Sequence, residues 1–359
     1  MRTSSCTDAR LNSSNSRRLK IRTGNPSTTI NDRLEFLNDQ QLPAVVTAVP
    51  GESLGTLLTE QREPLGKMME RYGAILFRGF DLHSAADFQD AVALAFNKGL
   101  RDYIGGVSPR GLVMAGVYES TRFPAHLRIP QHNEMAYLPD PPRQLAFFCE
   151  IEPKHGGETP LADARTIYKN IPAEVLRVFE EAGISYHRYL NGRRMTRRHR
   201  NRHRIAKLHT SWMAAFSTED QSVVEKACAE NGSMVRWDRE EGAMINNILP
   251  AVRTHPETGE TLWFNQVATF LSSPRSTGLL RWLLYQAAFR DPYERPFHAT
   301  LGDGRAITLA QLNSVHKAID DATVRFRWRQ GDLLIVDNFL VTHGRMPYRG
   351  ERRILVAIH

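Results

Sequence analysis

The sequence predicts a β-sandwich or jelly roll surrounded by helices, and three observations support this fold class. Many short apolar segments are bounded by Gly, Pro or Asp, which is typical of strands. Helical periods lie between them at irregular intervals, without the regular alternation of a parallel βαβ sheet. At 359 residues the chain is long enough to bury a large core within one domain.

The elements are predicted in chain order from their local patterns. The segment "GAILFRGF" at 73–80 is a buried strand closed by a glycine turn, and an apolar helical period follows at 84–97. Further strands are predicted at 112–118, 144–149, 184–190, 233–237, 262–267, 324–329, 332–337 and 353–358. Helices are predicted at 172–182, 218–230, 275–289 and 308–320.

The positive charge of the chain is concentrated in two segments. The formal net charge is +8, of which residues 1–30 carry +5 and residues 191–212 carry +8, so the remainder carries −5 (8 − 5 − 8). Residues 1–32 lack an apolar period, so we expect a disordered basic tail, although an Arg- and Ser-rich start is also typical of a transit peptide. We expect a single domain over residues 33–359, with a basic insertion at about 191–212. A mildly acidic domain with two basic segments is not by itself a nucleic-acid binder.

Several classes of protein are disfavoured by what the chain lacks. It contains no run of eighteen apolar residues and no apolar segment near its N-terminus, so neither a membrane span nor a secretory signal is indicated. Three scattered cysteines fit neither a disulfide framework nor a zinc site. We therefore expect a cytoplasmic protein with reduced thiols and no membrane partner.

The segment "PQHNEMAY" at 130–137 contains a pair of residues that are common metal ligands. His132 and Glu134 are two positions apart, a spacing that places both side chains on one side of an extended strand. This motif alone is weak, because short His/Glu pairs also arise by chance. A third ligand is available in "GDLLIVDNFLVTHGRMPYRGERRILVAIH", which predicts a strand, a loop holding His343, and a returning strand that begins with Arg352 and Arg353.

Two histidines and one carboxylate are the ligands that non-haem Fe(II) oxygenases use, and they leave adjacent positions on the iron open. A 2-oxo acid chelates the metal through its keto oxygen and the neighbouring carboxylate. Its distal carboxylate then pairs well with the planar fork of an arginine. Arg352 and Arg353 both lie one strand away from His343 and are therefore candidates for this role.

Three motifs occur in an order that resembles a known family: "HNEMAY", "GGETPLADAR" at 156–165, and "VDNFLVTHGRMPYRGERRILVAI". Together they resemble the Fe(II)/2-oxoglutarate dioxygenases of the taurine and 2,4-dichlorophenoxyacetate dioxygenase type. The resemblance covers about residues 40–358 and is closest to the branch of the syringomycin-type aspartyl hydroxylase. It implies a core built as a double-stranded β-helix, the jelly roll of this family.

The resemblance also implies roles for individual residues. The iron ligands would be His132, Glu134 and His343, and the ligands of 2-oxoglutarate would be Thr159 and Arg353. Arg352 would point to the opposite face of the strand and is only the fallback. Beyond the metal ligands, no catalytic side chain and no substrate ligand is assigned.

The implied activity consumes 2-oxoglutarate and O₂ and hydroxylates an unactivated C–H bond. The resemblance points to an amino acid or amino-acid-derived substrate, free or bound to an acidic carrier protein, in the biosynthesis of an antibiotic or another secondary metabolite. Glu134 separates the chain from related halogenases, which have a small residue there. Ala357 stands four positions after Arg353, where the taurine enzymes hold the sulfonate with an arginine, so a taurine-like substrate is disfavoured.

Two other readings of the sequence remain. The arginine-rich segment 191–212 would grip phosphates if the protein were a nucleic-acid-directed oxygenase or binder, but Trp212 is its only aromatic residue, whereas single-strand binders interleave several. A non-catalytic metal-binding member of the fold would keep the ligands without turnover. The segment itself is either an exposed charged loop or a docking surface for an acidic partner.

Overall fold

The computed structural model describes residues 30–96, 100–101, 111–120, 123–193 and 210–359. Its larger sheet has eight strands, which lie in the following order: β1 (Leu34–Phe36), β2 (Ala44–Thr47), β3 (Ala74–Arg78), β17 (Leu333–Asp337), β7 (Gln144–Ile151), β20 (Arg353–Ile358), β5 (Val117–Glu119) and β4 (Leu112–Met114). The central strand β17, "LLIVD", is buried along its whole length and pairs antiparallel with β3 and β7. A run of branched apolar residues is typical of such a strand.

A second sheet packs against the larger one and shares a core with it. Its four strands lie in the order β16 (Thr323–Phe326), β9 (Thr159–Asp163), β18 (Val341–Arg345) and β6 (Ile129–His132). A third sheet contains β11 (Met234–Trp237), β12 (Ala243–Leu249), β10 (Ile184–Leu190) and β15 (Phe297–Leu301). Two strand pairs complete the set: β13 (Val252–Thr254) with β14 (Thr261–Trp263), and β8 (His155–Gly156) with β19 (Tyr348–Arg349).

Helices surround these sheets. In chain order they are α1 (Leu54–Glu60), α2 (Arg62–Tyr72), α3 (Ala85–Phe96), α4 (Ala164–Asn170), α5 (Ala173–Ala182), α6 (Trp212–Phe216), α7 (Gln221–Glu230), α8 (Val267–Phe270), α9 (Pro274–Thr277), α10 (Leu279–Ala288) and α11 (Leu309–Asp321). Short 3₁₀ helices span Ile30–Arg33 and Pro292–Glu294. Helices α1 to α3 cover the outer face of the larger sheet and form a second core with it.

Strand β20 shows how the two cores divide the larger sheet. Ile354, Val356 and Ile358 belong to the core between the sheets, whereas Leu355 and Ala357 belong to the core under α1 to α3. Successive strand residues point to opposite faces, so the parity of a residue number decides which core it joins. This parity also decides where the two arginines at the start of β20 point.

The predicted mixed α/β fold class, with a jelly-roll core and surrounding helices, is confirmed, but several local predictions differ from the structure. The helix predicted at 275–289 is two helices, α9 and α10, which are separated at Gly278. The strand predicted at 112–118 is a hairpin of two short strands, β4 and β5. The strand predicted at 262–267 ends at Trp263, and a helical turn begins at Val267. His343 lies within strand β18 rather than in a loop, because β18 is hydrogen-bonded between β9 and β6.

Parts of the expected tail and insertion lie outside the described residues, namely 1–29 and 194–209. Within the expected tail, Ile30 is buried. The two ends of the insertion meet, because Asn191 N–H donates to Thr210 O at 2.9 Å and Trp212 N–H donates to Asn191 O at 3.2 Å. In the described part of the chain, no helix has the length and apolar character needed to cross a membrane.

Candidate metal centre

His132 and His343 meet across a strand pair. His132 is the last residue of β6, and it is directly opposite His343 of β18 in the antiparallel register. Their ring centroids are 4.6 Å apart. The Nδ1 of His132 lies 2.9 Å from the carbonyl oxygen of Pro130, so this nitrogen donates its hydrogen and leaves Nε2 available for a metal.

The close approach of these two strands depends on Gly344. A Cβ at this position would lie 2.7 Å from the carbonyl oxygen of Ile129 and 3.2 Å from the backbone nitrogen of Gln131. The pairing also shifts register between His343 and Arg345. A larger residue at position 344 would push β6 away from β18 and thereby separate the two imidazoles.

Glu134 reaches the same point from a turn rather than from a strand, because β6 ends at His132. Its backbone N–H donates to Asn338 Oδ1 at 2.7 Å, and its carbonyl accepts from Asn338 Nδ2 at 2.9 Å. Asn133 Nδ2 donates in return to Asn338 O at 2.6 Å. The fully buried Asn338 therefore holds both backbone polar groups of the glutamate, which orients the carboxylate toward the histidines.

We expect the Asn338→Ala variant to bind Fe(II) roughly 10–100-fold more weakly, which is the effect of removing a group that orients a metal ligand. Loss of its buried hydrogen bonds should also destabilise the fold by about 1–3 kcal/mol. Fe(II) affinity is measured by anaerobic titration, and stability is measured by urea unfolding of the metal-free protein. An unchanged Fe(II) affinity with reduced stability would show that Asn338 supports only the fold.

The three donors fit a metal ion of the non-haem iron type. His Nε2 or Nδ1 atoms and a carboxylate oxygen from His132, Glu134 and His343 all lie within 4.8 Å of one another. His343 Nε2 is 3.7 Å from Glu134 Oε2, and His343 Nδ1 is buried without a hydrogen-bond partner. A buried imidazole nitrogen with no partner is costly unless something binds there.

Thr159 begins strand β9 and lines the same cavity, which has a volume of about 50 Å³. Its hydroxyl oxygen accepts a hydrogen bond from Trp328 Nε1 at 2.9 Å. Because the indole can only donate, the hydroxyl hydrogen of Thr159 is left to donate into the cavity. Trp328 was not identified from the sequence.

The structure places Arg352 in the cavity and Arg353 outside it, the reverse of the orientation expected from the sequence. Arg352 lines the cavity together with Ile354 and Val356, which share its parity along the strand. Arg353 lies on the other side, where its guanidinium is 2.5 Å from Glu150 Oε2. The sequence does not predict this orientation, because it shows the alternation along the strand but not which side is covered by the second sheet.

Arg352 is mostly buried and has only neutral partners in the described part of the chain. Its Nε donates to Gly157 O at 3.2 Å, and its guanidinium stacks on the Tyr348 ring at 5.6 Å. Burial is the main cause that lowers the pKa of Arg352 to about 10, and the neighbouring Arg345 adds to the effect. The guanidinium thus remains charged at neutral pH and has no carboxylate beside it.

Arg345 also lines the cavity, but its guanidinium donates hydrogen bonds to backbone carbonyls of the adjacent loop. Its Nη1 donates to Phe123 O at 2.9 Å, and its Nη2 donates to Pro124 O at 2.7 Å and to Leu127 O at 2.9 Å. These bonds tie residues 123–127 to β18. Arg345 lies two positions after His343 and was not identified from the sequence.

A second group of potential metal ligands, His255, Glu257 and Asp337, is held by a guanidinium instead. Arg143 Nη2 lies 2.9 Å from Asp337 Oδ2 and 2.5 Å from Glu257 Oε2. A permanent positive charge between these carboxylates leaves no room for a cation. This cluster therefore anchors the end of β17. Asn338 is the next residue in the chain.

A buried donor set of two histidines and one carboxylate on a jelly roll, with a charged arginine in the same cavity, defines a non-haem Fe(II) oxygenase that takes a 2-oxo acid. Comparison with known sequences agrees. The model of the family described as "Taurine catabolism dioxygenase TauD, TfdA family" matches residues 38–359, and the chain belongs to this family. The protein is accordingly an oxygenase whose cofactor is Fe(II) and whose co-substrates are 2-oxoglutarate and O₂.

Two relatives match most of the chain. The clavaminate synthase-like protein At3g21360 of Arabidopsis thaliana is 29% identical over 324 residues, which cover 88% of this chain and 91% of the relative. The dapdiamide synthesis protein DdaC of Enterobacter agglomerans is 30% identical over 326 residues, with coverages of 88% and 92%. Among solved structures, AAD-2 in complex with Mn(II) and N-oxalylglycine is similar in fold, with a TM-score of 0.50 at 15% identity over 90% of this chain and 95% of that chain.

Proposed function

We propose that the protein hydroxylates an unactivated C–H bond of an amino acid or an amino-acid-derived substrate in secondary-metabolite biosynthesis. When bound, the iron and 2-oxoglutarate supply the oxidising chemistry: one O₂ and one 2-oxoglutarate yield succinate, CO₂ and the hydroxylated substrate. The role of this chain's residues is to bind both partners, orient them and exclude water from the cavity.

In this proposal His132, Glu134 and His343 hold the iron. Asn338 fixes the backbone of Glu134 by hydrogen bonds. The carboxylate therefore stays in place while co-substrate and substrate exchange. Phe147, whose ring centroid is 5.1 Å from that of His343, provides an apolar wall beside the donors.

The observation that carries the proposal is the mostly buried Arg352. A charged guanidinium in a small cavity, with only neutral partners in the described part of the chain, favours an anionic ligand. The distal carboxylate of 2-oxoglutarate matches its paired N–H groups. Thr159 is suited to donate a further hydrogen bond to the same carboxylate, because its oxygen already accepts from Trp328.

A taurine-like substrate is disfavoured whichever of the two arginines binds 2-oxoglutarate. Counting four positions from Arg352 leads to Val356, which is fully buried and lines the cavity. Counting from Arg353 leads to Ala357. Neither side chain binds a sulfonate, so this position favours a substrate held by other groups.

The amino-acid character of the substrate rests on the relative in dapdiamide synthesis. Whether the substrate is bound to an acidic carrier protein depends on the basic insertion, whose charged centre lies outside the described residues. The ends of this insertion meet at Asn191 and Ser211, so seven arginines and one lysine are attached to the domain at a single place. Such a concentration of positive charge favours steering of an acidic partner.

The test is a mass-spectrometric screen with the Fe(II)-loaded protein, 2-oxoglutarate and O₂. We expect substrate-dependent succinate formation together with a product about 16 Da heavier, on free amino acids or on aminoacyl carrier proteins. A folded, Fe(II)-binding protein that forms no succinate with any candidate would instead be a non-catalytic member of the family. Succinate formation stimulated only by nucleic acid would support the nucleic-acid-directed reading.

A variant in which Arg197, Arg198, Arg200 and Arg202 are changed to glutamine separates the two substrate forms. If the insertion binds a carrier, this variant turns over a carrier-bound amino acid more slowly and with a weaker dependence on salt. Binding of 2-oxoglutarate should not change, because Arg352 and Thr159 lie outside this segment. Equal turnover by variant and wild type at low ionic strength would favour a free substrate.

A further inference from the structure

A second small cavity lies beside strand β6, and it is named here the outer cavity. It has a volume of about 100 Å³ and is lined by residues of β6 and of helices α8, α9 and α11. Gln131 points into the outer cavity, whereas the next residue, His132, points into the iron cavity. Successive residues of a strand face opposite sides, so the two cavities lie on opposite sides of β6. They have no lining residue in common.

Three buried polar atoms at the outer cavity have no hydrogen-bond partner. They are Gln131 Nε2, His316 Nε2 and Arg128 Nε. Gln131 and His316 are only 3% and 9% exposed. A buried polar atom without a partner is costly, and in a native protein it usually faces a bound water, ion or ligand. Three such atoms around one space therefore indicate that the space is occupied when the protein is in solution.

The hydrogen-bonding chemistry of these atoms favours an occupant that accepts hydrogen bonds. Gln131 Oε1 accepts from Thr323 Oγ1 at 2.8 Å, so the amide nitrogen is the end that faces the cavity. The Nε of Arg128 can only donate. Burial is the main cause that lowers the pKa of His316 to about 4, so its imidazole is neutral and either ring nitrogen can carry the hydrogen. An acceptor in the cavity thus satisfies all three atoms.

The charges beside the outer cavity favour an anion. Arg275 Nη2 lies 2.8 Å from Asp320 Oδ2, and Arg128 Nη2 lies 3.4 Å from Asp320 Oδ1. One carboxylate is therefore shared by two guanidiniums, which leaves a surplus of positive charge. A metal cation is disfavoured, because Asp320 is the only acidic residue of the lining and already faces both arginines. The described residues at this place also form no group of metal ligands.

The size of the outer cavity limits what it can hold. A space of 100 Å³ corresponds to roughly three water molecules at about 30 Å³ each. A carboxylate or another small oxyanion fits this space, whereas a whole nucleotide or an aromatic amino acid does not. A carboxylate accepts about four hydrogen bonds and donates none, which matches a lining whose unpartnered atoms donate. Water has to donate as well as accept, so it matches the lining less well.

We propose that the outer cavity binds a small oxyanion, specifically a carboxylate, through Arg128, Gln131 and His316. The bound carboxylate connects β6 to α11 and offsets the surplus positive charge. The side chains of Arg128 and Arg275 are 36% and 45% exposed, so the cavity is accessible from the surface. Both a free small acid and the terminal carboxylate of a larger acid can therefore enter. The proposal concerns binding alone and holds whichever substrate the iron centre oxidises.

The test is calorimetric titration with acetate at constant ionic strength. The protein is first loaded with Mn(II) and N-oxalylglycine, so that the iron cavity and Arg352 are occupied. We expect acetate to bind with a Kd of roughly 0.1–5 mM, a range open to a ligand of only four non-hydrogen atoms. Acetamide has the same shape but no charge, and it should bind at least about 10-fold more weakly, because hydrogen bonds to a charged acceptor are stronger.

Two variants test where acetate binds. Gln131→Leu removes the amide donor and Arg128→Gln removes the guanidinium, and each should weaken acetate binding about 10-fold or more. The matched control is Arg305→Gln, which removes an arginine from an exposed ion pair with Asp303 outside the cavity; it should bind acetate like the wild type. Folding is checked by circular dichroism. Arg128 is partly exposed, so Arg128→Gln still provides the test if Gln131→Leu does not fold.

A wild type that binds no acetate at concentrations up to about 50 mM would overturn the proposal and would show that the cavity holds water only. Equal binding of acetate and acetamide, or unchanged acetate binding in the folded Arg128→Gln variant, would also overturn it. Titration with N-acetylglycine distinguishes the two sources of the carboxylate. Binding as tight as that of acetate supports a site for the terminal carboxylate of a larger acid, and binding of acetate alone supports a site for a free small acid.

Discussion

Glu134→Ala is expected to abolish 2-oxoglutarate-dependent turnover while leaving the fold largely intact. The carboxylate is one of three donors in a buried site, and two imidazoles alone hold Fe(II) too weakly in competition with water and buffer. The same result is expected for His132→Ala and His343→Ala. Succinate formation is measured for each variant, together with anaerobic Fe(II) binding, which reports on the ligands without requiring turnover.

Two surface substitutions serve as controls for the metal ligands. Glu181→Ala and His83→Ala remove the same side-chain types from exposed positions, where the side chains are 71% and 76% accessible. Both should retain wild-type Fe(II) binding and succinate formation. Wild-type activity in Glu134→Ala would show that the carboxylate is not a ligand and that the proposed donor set is wrong.

Arg352→Ala is expected to weaken 2-oxoglutarate binding strongly, whereas Arg353→Ala should change it little. Truncating one partner of a buried, bidentate charge pair costs about 2–5 kcal/mol, which corresponds to a rise of roughly 30-fold to several thousand-fold in the concentration required. Arg353 instead pairs with Glu150 and lies 3.8 Å from Glu119, with a side chain that is 39% exposed. Loss of such a partly exposed pair costs at most about 1 kcal/mol.

The measurement is calorimetric titration of the two variants with N-oxalylglycine in the presence of Mn(II), which reads binding in the absence of turnover. The KM for 2-oxoglutarate provides an independent value. Arg352→Lys should recover part of the affinity, because it restores the charge but not the planar fork. A larger loss in Arg353→Ala than in Arg352→Ala would show that the 2-oxoglutarate site lies on the other face of β20.

The three proposed iron ligands could be selected from the sequence because they lie in motifs that occur together in the order of the resembled family. Imidazole and carboxylate are the side chains that bind iron in this class, and the HxE spacing occurs at two places, His132/Glu134 and His255/Glu257, of which only the first begins the motif "HNEMAY". The predicted loop around His343 was wrong, since His343 is in a strand. The position of His343 in the motif was nevertheless sufficient to select it as a ligand. The metal chemistry therefore depends on residue identity more than on exact secondary structure.

The supporting residues were missed for different reasons. Asn338 directly follows the apolar strand "LLIVD", and a polar residue buried at such a place needs partners, which is a signal that the sequence contains. Trp328 and Phe326 alternate with arginines at 325, 327 and 329, which predicts a strand with one buried face. The sequence does not show which residue contacts that face. The partner of Trp328 is Thr159, which is 169 residues away in the chain.

The sequence by itself determined the class of chemistry, the order of the motifs along the chain and a jelly-roll core with helices, because these follow from residue types and from local periodicity. Only the tertiary structure decided which of two adjacent arginines enters the site. Alternation places Arg352 and Arg353 on opposite faces of β20, but both faces are covered, one by the second sheet and the other by helices α1 to α3. The direction of each guanidinium is therefore decided by packing between segments far apart in the chain, and a local pattern contains no information about such packing.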